Sequence, residues 1–265
     1  MLAHERQEMI MDMLRKKKVV KNTELAQLFK TSNLTIRRDL DALADKRLVR
    51  RVYGGAVLQQ EVESVQPQRL PADSSGELLR SRRTAIAKAA VAMVQEGDRI
   101  HLGNGTTVVE IARQLRQFRQ LSIVTGSLTA ALQLINTSHD VYVLGGQLHH
   151  DERNLSGNYA INMAKNFHTN ITILPCGGLS VEYGVMSDFL PAAELGRVAV
   201  ENADKAIIVC SSKNIGRTTF HAVCPVSAVH VIITDDGITT EQKESLEACG
   251  VKVLVVSGES EESGK

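Results

Sequence analysis

Residues 103–107, Gly-Asn-Gly-Thr-Thr, stand between an apolar run ending at Leu102 and an amphipathic one. A glycine-rich turn that ends a strand and opens a helix leaves backbone N–H groups free at the positive end of the helix dipole. That arrangement suits a phosphate. The spacing of Thr107 and Glu110 predicts a capping box there. The chain contains neither G-x-x-x-x-G-K-[ST] nor G-x-G-x-x-G, so no nucleotide cofactor is indicated.

Three more expected strand ends carry small polar or glycine residues: Thr125-Gly126-Ser127, Gly145-Gly146 and Cys176-Gly177-Gly178. A fourth, Ser211-Ser212-Lys213, adds a cation able to pair with a phosphate. Ligands of open α/β sheets lie at the carboxyl ends of strands, so these loops are expected to converge. The expected effector site comprises Gly103, Asn104, Gly105, Thr106, Thr107, Thr125, Ser127, Gly145, Gly146, Gly177, Gly178, Asp188 and Lys213. His149-His150-Asp151 reads as a solvated loop, because adjacent histidines point apart on a strand and no third ligand stands at the usual spacing. Neither a metal nor a cofactor is expected.

The other end of the chain suggests different chemistry. Residues 1–60 hold thirteen Lys/Arg against seven Asp/Glu, leaving 18 against 23 in the remainder, so +6 faces −5 inside a net +1. Such a split fits a polyanionic partner for the basic part. Within it, Ile36, Leu40 and Leu43 fall at i, i+4 and i+7 and make one buried helical stripe. Ser32 can cap that helix. Arg38 projects opposite the stripe, Leu34 and Thr35 flank it, and Arg37 lies at its edge. A face of this kind enters a DNA major groove, where Arg reads guanine and an apolar tip meets a thymine methyl. Asp41 and Asp45 continue the same face and repel phosphates, so only the helix's N-terminal part is expected to penetrate. Residues 48–58, two β-prone pieces around Gly54-Gly55, read as a wing. The expected DNA contacts are Ser32, Asn33, Leu34, Thr35, Arg37, Arg38, Arg50, Arg51 and Tyr53.

The elements that must hold these residues follow from periodicity. Met9, Ile10, Met13 and Leu14 predict a first helix from Glu5 to Leu14, closed by the basic run Arg15–Lys18. A second fits Thr23–Lys30 with Leu25 and Leu28 inward, and the tight turn before the third makes a helix-turn-helix. Residues 59–76, rich in Gln, Pro, Ser and acids, read as a linker. Beyond them helices are expected at 82–95, 107–117, 128–136, 157–168, 190–202 and 240–248. Strands are expected at 99–102, 121–125, 141–144, 171–175, 206–210, 229–234 and 251–256. This alternation predicts a mainly parallel sheet covered by helices.

The chain therefore reads as a winged helix-turn-helix at 1–58, a linker at 59–76, an α/β sensor domain at 77–258 and a tail at 259–265. Its 265 residues, 43% apolar, are enough to bury a full core. The charged N-terminus does not read as a signal peptide, and no run approaches the length of a membrane span. The expected address is cytoplasmic, at the nucleoid. Cys176, Cys210, Cys224 and Cys249 form no CxxC pair and read as reduced thiols.

The stretch TSNLTIRRDLDALADKRLVRRVYGGAVL closely resembles the N-terminal reader of the deoxyribose-operon repressor (DeoR) family, through its TIRRDL core and the following R-x-x-GGA. The second half resembles that family's sensor domain, which is similar in fold to ribose-5-phosphate isomerase and glucosamine-6-phosphate deaminase. The resemblance implies a repressor that binds double-stranded operator DNA as a dimer or tetramer. It also implies a phosphorylated sugar or sugar-acid effector, held by the Gly103–Thr107 loop, the Ser127 region and Lys213. Many sensors of the family read D-S-G-T-T, G-A-D-G and A-D-S-S-K where this chain has GNGTT, PCGG and VCSSK. Three carboxylates are therefore absent, at Gly103, Gly177 and Cys210.

An isomerase or deaminase needs a carboxylate base near the sugar carbon that loses its proton, and Gly177 stands where the related enzymes place one. A sensor is thus preferred to an enzyme with an accessory DNA-binding domain. Asp188 and Glu194 keep that alternative open, and a pure oligomerisation scaffold is a third.

Overall fold

A computed structural model describes residues 3–17, 19–45, 48–52, 55–58 and 74–258. The chain divides into two compact units, Met1–Gln66 and Pro67–Lys265.

The first unit contains α1 (Ala3–Lys17), β1 (Val19–Lys21), α2 (Asn22–Leu28), α3 (Asn33–Asp45), β2 (Val49–Val52) and β3 (Gly55–Leu58). The stripe Ile36, Leu40 and Leu43 is buried as its spacing predicts, against Ile10, Leu14, Leu25, Val49 and Ala56. Leu28, expected inward, is instead 56% exposed, because α2 ends there and the chain turns toward α3. Of the apolar residues whose spacing predicts α1, Ile10 and Leu14 are buried and Met9 is 49% exposed. In the turn Lys30 takes φ 49°, a conformation usually left to glycine, while the Thr31 N–H donates to the Ala26 carbonyl at 3.0 Å. Ser32 caps α3, its Oγ accepting from the Thr35 N–H at 3.1 Å.

Strands β2 and β3 form the expected antiparallel wing. They are joined by β1, which the sequence did not announce, in the order β1-β3-β2. Tyr53 and Gly54 lie outside the described residues, as do residues 59–73 of the expected linker and the tail 259–265.

The second unit opens with α4 (Ser74–Val91), which starts inside the segment read as linker. A seven-stranded parallel sheet follows, made of β4 (Arg99–Leu102), β5 (Ser122–Thr125), β6 (Asp140–Val143), β9 (Thr169–Pro175), β12 (Ala203–Val209), β14 (Val231–Asp235) and β15 (Lys252–Val256). Its helices are α5 (Thr106–Gln114), α6 (Leu128–Leu134), α7 (Asn158–Ala164), α8 (Leu190–Glu201) and α9 (Thr240–Glu247). Short antiparallel pieces were not foreseen: the hairpin β7 (Gln147–His149) and β8 (Asn154–Ser156), and the sheet of β10 (Gly178–Ser180), β11 (Gly184–Ser187) and β13 (His221–Cys224).

Strand order is β15-β14-β12-β9-β4-β5-β6. From β4 the chain winds outward through β5 and β6, then returns to β9 and winds the other way. The topological switch therefore lies between β4 and β9, where open α/β sheets hold ligands. Both faces are covered, which is why the strands read as nearly continuous apolar runs. Ile173, Ile207, Val209 and Ile233 face a core shared with Ile86, Val108 and Ile111. Leu174, Cys176, Ile208, Cys210 and Ile232 face the opposite core with Ala193, Ala199 and Leu246.

Candidate functional site

A cleft of about 280 Å3 opens at the carboxyl ends of β4, β9, β12 and β14. Its lining includes Gly105, Thr106 and Thr107 from the start of α5, Pro175 and Cys176 after β9, and Val209, Cys210, Ser211 and Asn214 after β12. Asp235 closes β14, and Leu79, Arg82, Arg83 and Ile86 come from α4.

The start of α5 is shaped for an anion. Gly105 is its N-cap with φ 108°, and no side chain caps the helix. Positive φ favours glycine here, and the free N–H groups of the first turn face outward from the positive helix end. The capping box expected at Thr107 and Glu110 does not form. Thr107 lies inside the first turn, and Glu110 instead accepts from Arg113 at 2.8 Å and Gln114 at 3.2 Å.

Two arginines that the sequence reading missed add positive charge. Arg82 pairs with Asp236 at 2.7 Å and Asp235 at 3.6 Å. Arg83 makes no ion pair among the described residues. Burial pushes the Arg83 pKa down and Arg80 adds to this, while Glu110 opposes it. Asp235 is fully enclosed and accepts from the Ser212 hydroxyl at 2.7 Å, the Ser212 N–H at 3.0 Å and the Gly237 N–H at 3.2 Å. Burial alone would raise its pKa. The hydrogen bonds from Ser212, Ser211 and Gly237 outweigh that and hold the carboxylate below the usual range.

The residues expected at the site divide into three sets. Gly105, Thr106 and Thr107 line the cleft. Gly103, Gly177 and Gly178 let backbone segments approach beside it: an added Cβ at Gly103 would stand 2.9 Å from Pro175 Cδ, at Gly177 3.1 Å from Asp188 Oδ2, and at Gly178 2.4 Å from the Arg217 carbonyl. The remainder lie outside the lining. Thr125 accepts from the Ser127 N–H at 3.0 Å, and Ser127 caps α6 through the Ala130 N–H at 3.2 Å. Asn104 reaches Glu152 at 3.5 Å. Gly145 and Gly146 lead into the β7–β8 hairpin. Asp188 pairs with Arg217 at 3.1 Å, Glu194 lies on α8 outside the lining, and Lys213 is exposed in a short 3-10 turn. His149 packs edge-on against Phe189 at 4.8 Å, and the described residues contain no group of three or more potential metal ligands.

In the first unit, Asn33, Leu34, Arg37, Arg38 and Asp41 are exposed on α3, and Thr35 is half-buried beside Ser32. Asp39 faces the other way: it is buried and accepts from Arg6 Nε at 2.5 Å and Nη2 at 3.1 Å. Arg50 and Arg51 pair through their backbones with Val57 and Ala56.

The family profile described as the DeoR-like helix-turn-helix domain matches residues 6–62, and that of the DeoR C terminal sensor domain matches residues 80–236. The uncharacterized HTH-type transcriptional regulator YulB of Bacillus subtilis (strain 168) is 31% identical over 258 residues, covering 97% of this chain and 98% of its own. GlpR, an HTH-type transcriptional regulator of Haloferax volcanii, is 30% identical over 223 residues, 84% of this chain and 86% of its own. The transcriptional repressor AccR of Agrobacterium fabrum is 28% identical over 238 residues, 89% and 91% respectively. All three carry the names of regulators, not of enzymes. Among solved structures, ribose 5-phosphate isomerase A of Methanocaldococcus jannaschii aligns with 50% of this chain and 52% of its own at 14% identity and a TM-score of 0.37. The eIF2B beta subunit of Chaetomium thermophilum aligns with 60% and 49% at 17% identity and 0.43.

Proposed function

Given that the chain belongs to the DeoR family of transcriptional regulators, we propose that it represses a carbohydrate-catabolism operon until a phosphorylated sugar or sugar acid binds its second unit. Residues 1–58 hold the operator through the exposed N-terminal face of α3 and the wing, residues 59–76 link, and residues 77–258 bind the effector and form a dimer or tetramer. The protein works in the cytoplasm at the nucleoid. Among its described residues no helix is long and apolar enough to cross a membrane. Release requires that the effector bind the DNA-free state more tightly than the DNA-bound one.

The observation that carries the effector reading is the cleft at the β4/β9 switch. The uncapped start of α5 and Arg83, which has no ion pair among the described residues, converge there, a pairing of helix terminus and guanidinium that suits a phosphate. Asp235, the carboxylate among the described lining residues, is committed to Ser212, Gly237 and Arg82, so it supports the site without serving as a free base. With Gly103, Gly177 and Cys210 in place of the family's acids and Arg82 beside Arg83, the cleft also favours a second acidic group on the ligand. Carboxylates in those places would repel it.

Thermal-shift titration of the full chain with neutral sugar phosphates and with aldonic or lactone-derived sugar-acid phosphates tests this. A ligand at a hundred times its Kd stabilises the unit that binds it by about 2.7 kcal/mol. The acidic set is expected to give the larger shift. Stabilisation by neutral phosphates alone removes the second acidic group, and no shift with any phosphate removes the effector site.

A further inference from the structure

Two thiols share the floor of the cleft. The last register pair between β9 and β12 is Pro175 with Val209, so Cys176 and Cys210 leave these neighbouring parallel strands side by side. Strand alternation turns both toward the same face, with Leu174 and Ile208. They are 8% and 4% exposed, and both line the cleft. The neighbouring Cys210 thiol, followed by burial, raises the Cys176 pKa well above the usual thiol range. Neighbouring strands lie about 4.8 Å apart, within the Cα separation of about 4.4–6.8 Å that a disulfide spans.

We propose that Cys176 and Cys210 form a dithiol switch in the effector cleft, closed by exchange with a low-molecular-weight disulfide. The family resemblance does not supply it, since an acid commonly stands at position 210 in that family. In the first step the Cys210 thiol loses its proton to solvent, and its sulfur attacks one sulfur of the small disulfide. That S–S bond breaks, a mixed disulfide forms and one small thiolate leaves. In the second step Cys176, which the neighbouring Cys210 and burial keep protonated until then, gives up its proton and attacks the Cys210 sulfur. The second small thiolate leaves and the Cys176–Cys210 bond remains. Two protein thiols have been oxidised, and one small disulfide has been reduced to two thiols.

The two sulfurs then stand about 2.05 Å apart. The backbone already has the separation that the bond needs, so it is the two side chains that turn toward each other, which reshapes the floor of the cleft and narrows the space for a phosphate ester. This consequence rests on the effector reading of the cleft, whereas the exchange itself does not.

The full-length protein is incubated with hydroxyethyl disulfide, remaining thiols are blocked, and peptides are mapped by mass spectrometry. The expected product is a cross-link between the peptides holding Cys176 and Cys210, reversed by dithiothreitol. It persists in Cys224→Ala and is absent in Cys210→Ala. Wild-type protein that yields no such cross-link, or only mixed disulfides, overturns the switch. Oxidised and reduced protein are then titrated with the sugar phosphates above, and at least a tenfold weaker binding is expected after oxidation. Equal binding in the two forms overturns the closure. If the reduced protein binds no sugar phosphate while the cross-link forms, the effector reading fails and the exchange stands.

Discussion

The first unit uses its buried arginine to hold the fold, whereas the cleft of the second leaves a half-buried arginine without an ionic partner. Arg6 and Asp39 meet inside the helix-turn-helix with side chains 11% and 5% exposed, and that pairing turns Arg37 and Arg38 outward. In the cleft, Asp235 and Asp236 engage Arg82, while Arg83 makes no ion pair among the described residues. A buried cation paired within the protein holds structure, whereas one without an ion pair among the described residues, lining the same cleft as a helix N-terminus, suits an anion from outside. A helix-based reader can be recognised from one segment, but a cleft assembled from four strand ends cannot.

The largest expected effect tests the structural half of that contrast. Asp39→Ala removes the carboxylate from a buried arginine, a change that costs about 3–5 kcal/mol. Calorimetry should show the transition of the first unit lost or sharply lowered, operator binding abolished, and the transition of the second unit unmoved. An unshifted first transition would mean that the pair does not hold the reader together.

Burial without a charge partner has its own signature in the second unit. His101 is 4% exposed, its Nδ1 lies 3.2 Å from Thr172 Oγ1, and its Nε2 has no hydrogen-bond partner among the described residues. Burial pushes its pKa down to about 4. The unfolded imidazole titrates near 6.5, so between these values the unfolded chain binds a proton that the folded one does not. Stability from this group is therefore full above pH 6.5 and lost as pH falls toward 4, about 3 kcal/mol in all. Urea unfolding at pH 7 and pH 4.5 should show this loss in wild type and much less of it in His101→Asn. Equal losses would place the titration elsewhere.

A smaller effect sharpens the account of the missing acids. Gly103 faces the Pro175 ring at a distance that no real Cβ keeps, so glycine at 103 and proline at 175 are one departure in two places. Gly103→Asp should cost about 1–3 kcal/mol through overpacking, and a second change, Pro175→Gly, should recover part of it. Strict additivity in that cycle would separate the two positions. On the DNA side, Arg38→Ala should weaken operator binding by about 1–3 kcal/mol and relax the preference at one base pair. Unchanged sequence preference would assign Arg38 to the phosphates.

The sequence revealed most where one segment suffices. The stripe of α3, the Ser32 cap and the parallel α/β alternation appear as their periodicities predict. Asp39 was missed as a structural residue because its partner, Arg6, lies on another helix. Arg82 and Arg83 fall inside the helix expected at 82–95, but they were missed as site residues because no local pattern shows that α4 passes over the strand ends of the cleft. The strands β10, β11 and β13 are three or four residues long, too short for alternation to show. Thr125 and Ser127 look like ligand residues in a strand-end loop. Their hydroxyls instead satisfy the backbone of the turn and the α6 N-terminus, which only the coordinates reveal.

If the anion sits between the start of α5 and Arg83, calorimetric titration of the full chain with the sugar phosphate giving the largest thermal shift will read it out at single residues. A charge-assisted hydrogen bond contributes about 1.5–3 kcal/mol. Arg83→Ala should therefore bind at least about tenfold more weakly than wild type, with operator affinity kept, while Lys213→Ala stays within about threefold. Wild-type affinity in Arg83→Ala together with loss of binding in Lys213→Ala would contradict the account and move the site out of the cleft.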